Sequence, residues 1–153
     1  MNELGIALVG GVAGAAATLA GTMFVEACRG RRRRAQLTRA LTKTLNFNIE
    51  ILNDIPRGYA QDQSPRTVDT STIDAAAMLM FELIDVDVAS AVAFARSQLA
   101  HVGRAMFDHR AAVTASVPVD RRERALTNIT DTLVPAARSA CEKAVATLRK
   151  GRA

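Results

Sequence analysis

Two histidines, His101 and His109, stand eight residues apart in a stretch that reads as one long helix. A histidine pair becomes a metal site when carboxylates join it at helical spacing. Neither HExxH nor ExxH occurs here, so a dinuclear carboxylate centre is not expected. His109 falls one turn beyond Met106 on an apolar stripe and reads as a packed or boundary histidine. Glu82, Asp85 and Asp87 cluster at a helix end, where three carboxylates would attract a divalent cation. No regular loop of oxygen ligands surrounds them, and capping and solvation explain them better.

Other chemistry is equally thin. No GxxxxGK[ST] or GxGxxG is present to cradle phosphate, and Gly10, Gly11 and Gly14 lie inside an uncharged run. There is no GxSxG, and neither Cys28 nor Cys141 has a histidine nearby in sequence. Only helix packing would bring Arg96, His101, Arg104 and Asp108 together. No enzyme, cofactor or metal is therefore expected. Asn128-Ile129-Thr130 fits the glycosylation acceptor pattern, but the topology argued next keeps it in the cytosol.

The elements that position these residues begin with an uncharged stretch, Leu4 to Val25, of 22 residues. At about 1.5 Å per residue it reaches roughly 33 Å, enough for a hydrocarbon core of about 30 Å. Arg29, Arg31, Arg32, Arg33 and Arg34 follow it. Arginines beside a span are retained on the cytoplasmic side. The N-terminus offers only acidic Glu3, the reverse of a signal peptide. Residues 1–28 are thus expected to be an N-out transmembrane anchor, and 29–34 a polybasic juxtamembrane segment. That segment would contact anionic lipid, at about 1 kcal/mol per basic residue near the surface. Nucleic acid is not an expected partner, because no stacking aromatics interleave the arginines. Gly10, Gly14, Ala17 and Gly21 fall on one helical face, the small-residue pattern that lets helices approach closely in lipid. The expected place is the inner membrane of a bacterial cell, single-pass; 17 of the 20 basic residues are Arg, which suggests a GC-rich bacterial or phage genome.

Residues 35–150 are expected to form a cytoplasmic bundle, so the fold class is all-α: one transmembrane helix, then a small antiparallel bundle of about four helices. Aromatics make up 4% of the chain, with no Trp and one Tyr, so the core must come from aliphatic residues and Met. Such cores suit helix packing. The two cysteines form no CxxC and read as reduced thiols.

Leu41, Leu45, Asn48, Leu52 and Ile55 make a helical seam, in which Asn48 would fix register or partner number, or else face a polar margin. Pro56 and Gly58 are expected to end that helix, leaving a loop at 56–71 that Tyr59 pins to the bundle. Ser71 and Asp74 resemble a capping pair for a helix at about 72–84, apolar on nearly every side and expected to be the most buried. Val88, Val92, Ala95, Leu99, Val102 and Met106 give the cleanest periodicity, on a helix at about 87–115 capped by Asp85 or Asp87. The last helix, about 120–150, presents Leu126, Ile129, Leu133, Ala136 and Ala140 and should kink at Pro135.

Four apolar stripes without a catalytic constellation point to an interaction or scaffold module that self-associates or binds another membrane or cytoplasmic protein. The second expectation is a lipid- or small-ligand-sensing domain with a cavity lined by Met78, Met80, Phe81 and Met106. The third is a phage-type protein that perturbs the envelope.

Overall fold

A computed structural model gives an all-α chain, with no strand among the described residues. The structure describes residues 3–61 and 65–151, with side chains from residue 22 onward. Helix α1 spans Glu3–Ala60, α2 Ser71–Leu83, α3 Val86–Thr114, α4 Val119–Asn128 and α5 Val134–Lys150, and a π-helical turn, Ile129–Leu133, joins α4 to α5. The chain divides within α1 into two compact units, 1–36 and 37–153.

In the first unit, residues 22–36 are exposed except for half-buried Cys28 and Gly30. Arg29 and Arg31–Arg34 thus face solvent, as do Met23, Phe24 and Val25. Among the described residues no helix is long and apolar enough to cross a membrane. Most of the stretch from 4 to 25, with Gly10, Gly14, Ala17 and Gly21, lies outside the residues whose side chains are described.

The second unit has one core. Leu41, Leu45, Asn48, Leu52 and Ile55 are all fully buried, so the seam of α1 is turned inward along its length. The stripe of α3, from Val88 to Met106, is buried likewise, and His109 extends it by a turn. Leucine-to-alanine changes at such sites cost about 2–5 kcal/mol, because a tight core collapses only partly into the void.

Three expectations about the elements are corrected. First, α1 does not stop at Pro56 but runs through it to Ala60. Pro56 removes one backbone donor close to the helix end, where few bonds remain to lose. Packing compensates: Ile55 is fully buried, and the Tyr59 ring meets His109 edge-on, with centroids 5.4 Å apart. The connection to α2 is correspondingly shorter than the expected 56–71.

Second, α2 is not the most buried helix. Only Ile73, Ala76 and Met80 are buried, a narrow stripe with steps of three and four. Its capping also differs. Asp69 Oδ1 accepts the Ser71 N–H at 2.8 Å, and the Thr70 hydroxyl donates to Asp74 at 2.9 Å. Asp74 also accepts from Arg96 Nε at 2.6 Å, and these donors hold its carboxyl below the usual range.

Third, Pro135 is taken up by the π turn rather than by a kinked α-helix. The Val134 N–H bonds to the carbonyl of Ile129, five residues back, and Pro135 stands at the start of α5. A wide turn here removes the usual conflict between a proline ring and the carbonyl four residues earlier. The extra residue shifts the buried phase. Ile129 is followed inward by Val134, Ala137, Cys141, Ala144 and Leu148, while Ala136, expected inside, is exposed.

Residues 65–70 form a strap against α1 and α3. Arg110 Nη2 donates to the Pro65 carbonyl at 2.7 Å. A Cβ at Gly103 would lie 3.3 Å from Val68 Cγ2, so glycine in the middle of α3 admits the strap at close range. Asn48 completes the fastening: Nδ2 donates to the Asp69 carbonyl at 2.7 Å and to the Thr44 carbonyl at 3.1 Å, while Oδ1 accepts the Asp69 N–H at 2.8 Å. The polar atoms of Asn48 are thus engaged within this chain, on the strap residue Asp69 and on Thr44 of its own helix.

Candidate functional site

The placement of α2 leaves an apolar face uncovered. Met78 and Phe81 are 80% and 78% exposed, Val86 at the start of α3 is 75% exposed, and Leu79 is 48% exposed. Isolated exposed hydrophobics are ordinary, but Met78 and Phe81 stand three residues apart on one side of α2, with Leu79 and Val86 exposed within the same nine residues. Glu82, Asp85 and Asp87 are interleaved with them, and all three are exposed. From 67 to 95 the chain has five acidic residues and no basic one. The segment that carries these exposed apolar residues is therefore acidic in sequence, with Asp74 engaged by Arg96. This also answers the expected cavity of Met78, Met80, Phe81 and Met106. Met80 and Met106 are in the core whereas Met78 and Phe81 are on the surface, so the four do not share a cavity.

A second arrangement joins the end of α1 to the C-terminal half of α3 and to α4. His109 is 9% exposed, and its Nδ1 has no hydrogen-bond partner. Burial, helped by the nearby Arg122 charge, pushes the imidazole pKa below its ordinary value. The Tyr59 hydroxyl is also buried without a partner; burial raises its pKa, and the Arg110 charge opposes that rise. Arg122 Nε is the third such atom. Buried polar groups normally have partners, so three without one near the same helices mark this region. His109 and Arg122 line a groove of about 330 Å³.

The remaining residues singled out from sequence do not converge. Arg96 pairs with Asp74, Arg104 lies 4.0 Å from Asp108 on the same helix, and His101 is exposed. Among the described residues no three His, Cys, Asp or Glu side chains gather as a metal-binding group. Cys28 and Cys141 are free thiols; burial, reinforced by the Glu142 charge, pushes Cys141 up to about 12.

Sequence reasoning missed Tyr59 and Arg122 as neighbours of His109. The available signal was Arg121-Arg122 in the opening turns of α4, where cations oppose the helix dipole and call for an explanation. No family model, curated protein or solved structure matches the chain.

Proposed function

We propose that this chain is a membrane-anchored, non-enzymatic interaction module whose bundle offers the Met78–Phe81–Val86 face to a basic amphipathic helix of a partner protein. The uncharged run from Leu4 to Val25 would span the inner membrane with its N-terminus outside, and Arg29 and Arg31–Arg34 would lie on anionic lipid at the cytoplasmic surface. Small residues Gly10, Gly14, Ala17 and Gly21 would pack on another span.

The observation that carries the reading is the exposed apolar face of α2. An amphipathic helix presents apolar residues at three- and four-residue spacing, which suits a short flat patch with adaptable methionines. The charge argument selects the partner's sign. Acids around the patch repel an anionic bilayer and favour a helix with a basic margin.

The test uses the full chain in its native membranes. A photoreactive phenylalanine at position 81 should crosslink to a basic amphipathic segment of another protein, and Met78→Glu should abolish that product without unfolding the bundle. Recovery of monomer only, or of lipid adducts only, would overturn the reading. Crosslinks joining position 81 of two copies would replace the partner by a second copy of this chain.

A further inference from the structure

The groove beside His109 has walls and charges that the interaction reading leaves unused. Its apolar walls are Ala105, Ala112, Val117, Ala125 and Ile129, contributed by α3, the connection after it, α4 and the first residue of the π turn. Its polar lining is His109, Arg121, Arg122, Asp108 and Asn128. Two cations thus face one acid, and that acid is near Arg104 at 4.0 Å. The volume of about 330 Å³ lies at the lower end of the range for small-molecule sites.

Three observations define what would fit. The opening turns of α4 carry Arg121 and Arg122, so positive side chains add to the positive end of the helix dipole. His109 is more than nine-tenths buried with Nδ1 unpartnered, and Arg122 Nε is buried and unpartnered as well. Both atoms are sealed off without a bond, so the wall that His109 and Arg122 give the groove carries polar groups that the fold itself does not satisfy. The rest of the lining is methyl and methylene surface.

We propose that this groove binds a small apolar carboxylate, with the anionic group against the Arg121–Arg122 pair and the hydrocarbon part between Ala112, Ala125 and Ile129. A guanidinium and a carboxylate match in charge and in fork geometry, and the His109 ring beside them reports on what enters the groove. A phosphate-sized dianion would suit the site less well, because it leaves the apolar walls unfilled and Asp108 would oppose its second charge.

The experiment is a titration of the full chain in lipid nanodiscs with benzoate, read by the ring-nitrogen signals of His109, with benzamide as the uncharged comparison. Benzoate should give a saturable shift, and benzamide should bind more weakly by about tenfold or more. Arg122→Gln should lose benzoate affinity by a similar factor, and Arg122→Lys should recover part of it. Ala125→Leu, at an exposed position, should fill the groove and abolish binding in a folded chain. Equal affinity for benzamide would overturn the carboxylate assignment, even if the Arg122 variants fail to fold. Absence of a saturable shift in the unaltered chain, or unchanged binding in Ala125→Leu, would overturn the site itself. None of these readouts depends on a protein partner at α2, so either proposal can fail alone.

Discussion

Asn48 and Asp69 pair as two strand residues would. The Asn48 amide gives one hydrogen bond to the Asp69 carbonyl at 2.7 Å and takes one from the Asp69 N–H at 2.8 Å. A side chain in the fully buried seam of α1 thus substitutes for a backbone and satisfies both main-chain groups of a loop residue. Asn48→Ala removes both of these bonds, leaves a void in the seam of α1 and should destabilise the fold by about 1–3 kcal/mol. The Asp69 amide should then exchange hydrogen far faster than its neighbours in α1. Stability equal to the parent in urea denaturation would refute this account.

His109 makes the fold sensitive to mild acid. Its pKa is lowered in the folded chain, so the unfolded chain takes up the proton first, near 6.5. Stability should hold above that value and fall as pH drops below it, until the folded imidazole also titrates. His109→Phe keeps an edge-on ring against Tyr59 and should flatten this part of the pH dependence. Denaturation midpoints across the range measure it directly.

The π turn can be tested by residue count. Inserting one alanine after Leu133 rotates α5 by about 100° relative to α4 and turns Val134, Ala137 and Cys141 out of the core. The loss should exceed about 4 kcal/mol. Deleting exposed Thr132 together with Pro135→Ala instead leaves Ile129 and Val134 one α-helical turn apart. That variant should fold with the same buried set, within about 1 kcal/mol of the parent. Thermal melts of the two variants should therefore differ widely, although each changes the length by a single residue.

Topology is tested by charge. Replacing Arg29 and Arg31–Arg34 with Gln leaves Leu4 to Val25 apolar but removes the asymmetry across it. A reporter active only in the cytosol, fused after Ala153, should be active on the parent chain and partly lost in the five-fold variant. External protease reaching the parent C-terminus in intact cells would reverse the proposed orientation.

The seam of α1 and the stripe of α3 were legible because every member falls at three- or four-residue steps and faces one core. The phase of α5 was not, since a single five-residue step between Ile129 and Val134 looks like noise until Pro135 is seen to need it. Composition alone also misjudged α2. Met78 and Phe81 are as apolar as buried residues, and only the packing of Ile73, Ala76 and Met80 decides which side turns inward. The Tyr59–His109–Arg122 neighbourhood draws on three helices distant in sequence, so no local pattern announces it. Asn48 was legible as a residue out of character with its neighbours, but its partner was not.

The contact between Arg138 and Asn53 joins residues 85 apart, with Arg138 Nη1 donating to the Asn53 side-chain oxygen at 3.3 Å. That distance along the chain sets an order of events during synthesis. The side of α1 near Asn53 leaves the ribosome long before α5, so this contact cannot form until Arg138 has been made. For that interval the nascent protein presents the apolar surface that Val134, Ala137, Cys141, Ala144 and Leu148 of α5 later bury. A product truncated before α5 should accordingly be captured by holding chaperones and cleared by proteolysis.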